Sequence, residues 1–281
     1  MIIRSTNTDD LDFCVACVTR EGWLSETRAV FEGFLAYDPR GCFVAEDNGQ
    51  RIGMIVAAAY DTCGFLGELI VIPERRKQGI GRQLMEHAIG YLQARGCRSM
   101  YLDGDTPAVP LYERLGFRVV CRSLRFLGTL QGETSEGVRM MTPTDLETVC
   151  AIDRSAFGAD RSFFIKRRLK LFPQLCLIQT GENQITGFIM GQPGNGVVAV
   201  GPWFVGDGLT DPRGLLHMLA HHCGGQKLRM GVLESNAPAA ALMRSLRTFE
   251  ETESSWRMVL GPDIGPGGSP RLYAVGTPAK G

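Results

Sequence analysis

The apolar positions of the first 130 residues change period in a fixed order. "MIIRS" and "CFVAED" are extended apolar runs. Between them Leu11, Cys14, Val15 and Val18 recur at helical spacing from about Asp9, and a second helical stretch covers about Glu26 to Tyr37. Asn48 and Gly49 supply the positive φ angles of a two-residue hairpin turn joining "CFVAE" to "RIGMIVAAA". "GELIVI" is a fourth strand, opened by Glu68. After a basic turn, Leu84, Met85, Ala88, Ile89 and Leu92 mark the buried face of a helix that Gly96 ends as a left-handed cap. "SMYLDG", a short helix through Leu115 and "FRVVCRSLRF" complete the series. Because the early strands form a meander, the expected class is mixed α/β (α+β), a mostly antiparallel sheet flanked by helices, rather than a parallel doubly wound sheet.

The pattern then repeats. "LDGDTPAVPLYERLGFRVVCRSLRFLG" is similar to "LESNAPAAALMRSLRTFEETESSWRMVLG". Leu102, Pro107, Ala108, Leu111, Leu115 and Phe117 fall opposite Leu233, Pro238, Ala239, Leu242, Leu246 and Phe249, with one residue inserted before the last. In the same order, "TDDLDFC" answers to "PTDLETV", "CFVAEDNGQRIGMIV" to "CLIQTGENQITGFIM", and "ELIV" to "PWFV". Segments in register point to a duplication. The glycine-rich polar stretch "GTLQGETSEG", Gly128 to Gly137, is the expected boundary, giving domains 1–130 and 136–281.

A length of 281 residues suits two domains. Lys plus Arg and Asp plus Glu balance at 30 each, so no overall field favours nucleic acid or an anionic membrane surface. "MIIRSTNTDDLDF" lacks the pattern of a signal peptide, and no run nears the roughly 20 apolar residues of a membrane span, so a cytoplasmic protein is expected. Nine cysteines without framework spacing suit reduced thiols, and "CVAC" (Cys14, Cys17) falls within a helical apolar pattern. His217 and His221 have the one-turn spacing of zinc ligands and His222 and Cys223 follow, but no third and fourth ligand is identifiable. They are read as a half-exposed helix end, and no metal is expected.

Candidate chemistry centres on "VIPERRKQGIGRQLM". Its turn lacks the Lys and Ser/Thr of a nucleotide P-loop and the three-glycine dinucleotide fingerprint. What remains is a strand ending at Pro73, basic residues Arg75, Arg76 and Lys77, then Gly79 and Gly81 opening a helix. Unpaired N–H groups and the positive end of a helix dipole bind phosphate or pyrophosphate there, and glycine lets the anion approach.

On these residues the chain resembles the GNAT superfamily of acyl-CoA-dependent N-acyltransferases, whose turn reads Arg/Gln-x-x-Gly-x-Gly/Ala after a strand ending in Val-x-Pro. Arg76, Gly79 and Gly81 match it. The family's second signature, Asn-x-x-Ala-x-x-Leu-Tyr and then Gly-Phe, is met by Ala108, Leu111, Tyr112, Gly116 and Phe117, with Asp105 in place of the Asn. The resemblance implies two tandem GNAT-like domains and acetyl-CoA as acyl donor. The pantetheine arm would pair with Leu69, Ile70 and Val71, the pyrophosphate would lie on Arg76, Lys77, Gln78, Gly79, Ile80, Gly81 and Arg82, and Asp105 and Tyr112 would stand beside the cofactor. Tyr112 takes the family position of the acid that assists the leaving thiolate. Glu68, beside Leu69 where the fourth strand should splay from its neighbour, is the candidate base and a substrate contact, with Asp103 and Asp105 in reserve. Cys63 and Cys97 have no nearby histidine to activate them, and direct transfer makes an acyl-carrying thiol unnecessary.

Opposite "PERRKQGIGRQL" the second half reads "VGDGLTDPRGLL", without the glycine spacing and with Pro212 removing a backbone donor. Met243 stands opposite Tyr112. The second half resembles the GNAT-like C-terminal domain of a tandem bacterial family through "AFGADRSFF", "GPW" and "LESNAPAAALM". It is expected to be a degenerate domain closing the acceptor site and to bind no second cofactor. Asp160, Arg161 and Trp203 are candidate substrate contacts, although Trp203 also reads as core and Arg161 as a partner of Asp160. The expected activity is N-acetylation of a small-molecule primary amine. A protein N-terminal or lysine acetyltransferase and a non-catalytic acyl-CoA sensor stand as alternatives, and monomer and homodimer remain open.

Overall fold

The computed structural model describes residues 1–182, 184–209, 211–277 and 279–281. In chain order its elements are β1 (Ile2–Ser5), α1 (Leu11–Arg20), α2 (Arg28–Tyr37), β2 (Cys42–Asp47), β3 (Gln50–Ala59), β4 (Gly64–Val71), α3 (Ile80–Ala94), β5 (Met100–Asp105), α4 (Val109–Arg114) and β6 (Arg118–Gly128). There follow β7 (Val138–Met140), α5 (Leu146–Phe157), α6 (Ser162–Leu171), β8 (Cys176–Gly181), β9 (Gln184–Pro193), β10 (Val197–Val205), α7 (Arg213–His222), β11 (Lys227–Leu233), α8 (Ala237–Ser245), β12 (Phe249–Leu260) and β13 (Leu272–Ala274). The mixed α/β class holds. Asn48 and Gly49 adopt the positive φ angles of the hairpin turn (50° and 76°), and Gly96 ends α3 at φ 85°. The fourth strand starts earlier than expected: it begins at Gly64, so Glu68 lies in its interior.

Two compact units emerge, divided differently from the expected linear break. Unit 1 comprises Met1–Val120, Trp256–Ile264 and the pair Ala279 and Lys280, and unit 2 comprises Cys121–Ser255, Gly265–Thr277 and Gly281. The long terminal strands of the two repeats cause the difference. Ser123–Gly128 of β6 pair with β11 in unit 2, whereas Met258 of β12 packs in the core of unit 1. Such long-range exchange leaves no mark on local patterning.

In unit 1 the strand order is β1-β2-β3-β4-β5, then the Trp256–Leu260 part of β12. The first four strands pair antiparallel, and β4 pairs with β5 parallel. Strand alternation sends side chains to two faces. Phe43, Ile55 and Leu66 pack with Leu84, Met85, Ala88 and Leu92 of α3, and Val44, Met54 and Ile70 pack with Leu11, Val18 and Phe31 of α1 and α2.

In unit 2, β11, β10, β9, β8 and β7 follow β6 in order, over a core that includes Trp203, Leu215, Leu219 and Met243. A local device recurs in both units. Asp10 accepts from the Asn7 backbone and from Arg4, while Asp145 accepts from the Thr142 backbone and from Arg139, each closing a capping box before the first helix. These arginines and asparagine or threonine caps stand in the same register, which is the duplication expressed as geometry.

Candidate functional site

The site of unit 1 begins with a break in register. Gly67 pairs with Val56 and Ile70 with Met54, which leaves Glu68 and Leu69 as a bulge opposite Ile55, and Glu68 takes φ 56°. A left-handed glutamate is uncommon and is held there by its surroundings. On the other side, β4 meets β5 at only two pairs, Gly64 with Met100 and Phe65 with Tyr101, although β4 runs on to Val71 and β5 to Asp105. The strands part after Phe65, before the bulge. The backbone of Leu69, Ile70 and Val71 therefore has no partner on β5.

Beyond Val71 a 3-10 turn at Pro73–Arg75 leads to Lys77 at φ 61° and to Gly79, the N-cap of α3, at φ 79°. Gly79 is required by its backbone. Gly81 is not: a Cβ there would lie 3.8 Å from Leu111 Cδ2 and from Val71 Cγ2, ordinary contact distances. The chain itself leaves that place open, in front of the unpaired first N–H groups of a helix. Side chains of the turn are otherwise engaged. Arg75 pairs with Asp47 at 2.5 Å, Arg76 donates to Val71 O at 2.9 Å and pairs with Glu21, Arg82 pairs with Glu86 at 2.8 Å, and Gln78 accepts from Arg75 at 3.2 Å, while Lys77 is exposed. The guanidinium groups thus brace the turn, and the backbone of Gln78 to Arg82 offers the donors. A pyrophosphate fits this cradle.

Tyr112 of α4 is buried between Phe117, in edge contact at 6.2 Å, and Gly104, where a Cβ would lie 2.4 Å from the Tyr112 ring. Burial, and secondarily the Asp105 charge, push its phenol above the ordinary value. The phenol thus stays protonated, a weaker acid than its type suggests. Asp105 is exposed at the end of β5. Asp103 is withdrawn from the role of reserve base, because it is ion-paired with the buried Arg257. Cys63 and Cys97 are buried with raised pKa values, Cys63 to about 12, which removes them as nucleophiles, and burial likewise raises Cys14 to about 12 and Cys17 to about 11.

Glu68 is buried, with its Oε2 making no hydrogen bond. Burial raises its pKa well above the ordinary value, the neighbouring Glu26 carboxyl raises it further, and the Lys280 ammonium pulls it down. Glu26, Phe34, Tyr60 and Lys280 were missed in the sequence. An acid two residues before α2 reads as a complement to the helix dipole, and nothing local turns it inward.

Unit 2 has the same elements with the site closed. Beyond its parallel pairing with β11 at Val197–Val200, β10 pairs with β13, Trp203 opposite Ala274 and Phe204 opposite Leu272, and Val275 N donates to Gly231 O at 3.1 Å. The gap that unit 1 leaves between β4 and β5 is filled here by the chain's own strand. At Gly214 a Cβ would lie 2.4 Å from Ser135 Oγ, so the counterpart of the anion turn is occupied as well. Asp207 pairs with Arg271, Asp211 with Arg213, and Met243 is fully buried. Of the expected substrate contacts, Trp203 lies at 0% exposure in the core, where an apolar strand draws it. Arg161 is buried and pairs with Asp153 at 2.8 Å rather than with Asp160, stacking over Phe157 and donating to Gly281 O. Asp160 accepts from the Ser162 backbone at 2.9 Å as a helix cap. These three form no common site within unit 2.

His217 Nδ1 lies 2.9 Å from Gln131 O. Among the described residues no cluster of three or more His, Cys, Asp or Glu is placed to hold a metal ion, and no helix is long and apolar enough to cross a membrane.

A bulged strand that parts from its parallel neighbour recurs in both units, and in unit 1 it stands open beside a glycine-capped helix, the arrangement of an acyltransferase fold. A family profile described as "Acetyltransferase (GNAT) family" matches residues 9–117, and one described as "Acetyltransferase (GNAT) domain" matches residues 149–274. The chain belongs to the GNAT acetyltransferase family and carries its domain in tandem. Over its full length it is similar to a putative acetyltransferase from Pyrococcus horikoshii, with a TM-score of 0.84, 23% identity and coverage of 100% of this chain and 95% of that one. It is also similar to a tandem GNAT protein from the clavulanic acid biosynthesis pathway, with a TM-score of 0.61, 15% identity and coverage of 93% and 98%. Among curated relatives, a mycothiol acetyltransferase of Thermobispora bispora is 37% identical over 91 residues, 29% of this chain and 31% of that protein. An N-alpha-acetyltransferase of Arabidopsis thaliana is 33% identical over 103 residues, 34% of this chain and 54% of that protein. The matched region thus spans between a third and about half of those relatives.

Proposed function

We propose that the chain transfers an acetyl group from acetyl-CoA to the primary amine of a small molecule by direct attack, at unit 1 alone. The observation that carries this reading is the divergence of β4 and β5 before a bulge that presents a buried carboxyl of raised pKa. The N–H groups of Gln78 to Arg82 would hold the pyrophosphate, and the backbone of Leu69 to Val71, which β5 leaves and where Arg76 reaches Val71 O, the pantetheine arm. When bound there, acetyl-CoA supplies an activated acyl group at fixed orientation, worth a high effective concentration. Glu68 accepts the proton that the acceptor ammonium must lose, and a base with its pKa lifted above the usual carboxylate range suits that task. Tyr112 donates a hydrogen bond to the departing thiolate, whose conjugate acid lies at about 8.5. Burial, and secondarily Asp105, keeps that phenol protonated.

A screen of acetyl-CoA turnover over amino acids, polyamines, amino sugars and aminoglycosides, read as free thiol, tests the reading. Turnover with one of these classes is expected. Turnover confined to peptide N-termini or peptide lysines would replace it with protein acetylation, the reading that the similarity to an N-alpha-acetyltransferase favours. Cofactor binding without turnover on any amine would leave a sensor.

A further inference from the structure

The segment after β13 puts a lysine beside the bulge of unit 1. The Tyr60 hydroxyl donates to the backbone carbonyl of Lys280 at 2.9 Å, and Ala279 lies so close over Gly67 that a Cβ on that glycine would come within 2.2 Å of the Ala279 Cβ. Leu66 belongs to the core under α3, so the next residue, Gly67, opens to the opposite face, the one covered by α1 and α2. Phe34 of α2 and Glu26 just before it stand on that side. Lys280 Nζ lies 5.1 Å from the centroid of the Phe34 ring, within the range of cation–π attraction, and its charge acts on Glu68. All of these groups are buried: Lys280 is 6% exposed, Glu68 5%, Glu26 4% and Phe34 2%.

A lysine that only anchors a segment keeps its long stem on apolar surface and sends the ammonium to water. Here the ammonium goes inward. A buried cation is tolerated where opposite charge and an aromatic face replace its hydration, and the hydrogen-bonded Glu26–Glu68 carboxyl pair with the Phe34 ring does so. The recess abuts the bulge that carries the candidate base. It receives an unbranched four-carbon stem.

Resting on the activity proposed above, we propose that the recess of Glu26, Glu68 and Phe34 is the acceptor-amine site, that it takes the terminal ammonium of an unbranched alkyl chain, and that Lys280 occupies it as an internal competitor. A tethered competitor acts at an effective concentration in the millimolar range, so a free amine should bind about tenfold or more tighter once the lysine amine is removed.

The test compares the parent chain with Lys280→Ala, which empties the recess, and Lys280→Met, which keeps a stem without charge. The probe is n-butylammonium chloride, with tert-butylammonium as the branched control, titrated without acetyl-CoA by calorimetry and by thermal shift. Lys280→Ala should bind n-butylammonium about tenfold or more tighter than the parent does, should discriminate against the branched amine, and should lose the gain when Glu26→Gln or Glu68→Gln is added. Lys280→Met should fall between the two. Circular dichroism and the melting temperature without amine report whether each variant is folded, and a folded Lys280→Met serves where Lys280→Ala is not. Equal affinity for n-butylammonium in parent and folded variants overturns the proposal, even if both acetylate some other amine. Tighter binding in the variant without any turnover upholds the ammonium site and refutes the acetyltransferase reading instead.

Discussion

Gly81→Glu isolates the anion turn from the fold. Gly81 lies outside the left-handed region, and a Cβ on it would make ordinary contacts at 3.8 Å with Leu111 and Val71, so the substitution is accommodated at the start of α3 without strain. Replacing a glycine inside a helix gains up to about 1 kcal/mol of backbone entropy, and an acidic group in the first turn complements the helix dipole. The melting temperature should therefore hold or rise. Affinity for acetyl-CoA should collapse, because the new carboxylate stands where the pyrophosphate must approach. Losing two charge-assisted hydrogen bonds, each worth roughly 1.5 to 3 kcal/mol, weakens binding by about a hundredfold to ten-thousandfold. Gly79→Glu is the poorer experiment, since φ 79° adds backbone strain of about 1 to 2 kcal/mol and mixes folding with binding. Calorimetric titration with acetyl-CoA reads the result. An unchanged dissociation constant in a folded Gly81→Glu chain would refute the assignment of the turn.

Tyr112→Phe removes one donor from a ring already held by Gly104 and Phe117, so kcat should fall about a hundredfold while the acetyl-CoA dissociation constant stays within about threefold; turnover within threefold of the parent means that the thiolate leaves unaided. Glu68 must be deprotonated to act, and burial and Glu26, opposed by Lys280, hold its pKa above the usual carboxylate value, so the acid limb of kcat/KM should lie above that range and move to lower pH in Glu26→Gln; an unmoved limb assigns the base elsewhere. The same raised pKa means that the folded state favours protonated Glu68, so its contribution to stability is complete below the ordinary glutamate pKa and is lost as pH rises through the folded one. Titration of the chain should give one equivalent of acetyl-CoA, since Ser135 and β13 fill the second unit's turn and gap; two equivalents would show that these elements yield to the ligand.

Much of this was legible because it is written locally. The hairpin at Asn48 and Gly49, the caps at Gly79 and Gly96, and the period change from β4 to α3 each depend on residues within a few positions of one another. Tyr112 was recoverable for the same reason, through the spacing of one short helix. What escaped depends on distant partners. Asp103 reads as an acid at a strand end until Arg257, 154 residues later, is seen to neutralise it. Glu68 reads as the opening of a strand until the register on β3 turns it into a bulge. Trp203 on an apolar strand reads equally as core or as site, and only the packing of unit 2 decides for core. The exchange of terminal strands between the two units escaped for the same reason, because a strand gives no local sign of which sheet it joins.

The two repeats differ in how each satisfies the same backbone. Both carry the arginine–aspartate clasp and the same succession of strands and helices, so both inherit a strand pair that parts midway, and open edges carry N–H and C=O groups that need partners. In unit 2 the partner is internal: Leu272 and Ala274 of β13 are buried against β10, and the gap is closed by the chain. A gap closed in this way has no further use for an open glycine turn or a proton donor, which fits Ser135 against Gly214 and a methionine in the place of Tyr112. In unit 1 β5 does not pair with the corresponding edge of β4, where Arg76 takes Val71 O, and the specialised residues of the site lie near it: the bulged Glu68, the braced turn before α3, and Tyr112 above Gly104. An unpaired edge among such residues is better explained by a ligand that supplies the missing hydrogen bonds than by a fold left incomplete, because the same fold completes itself in the neighbouring repeat.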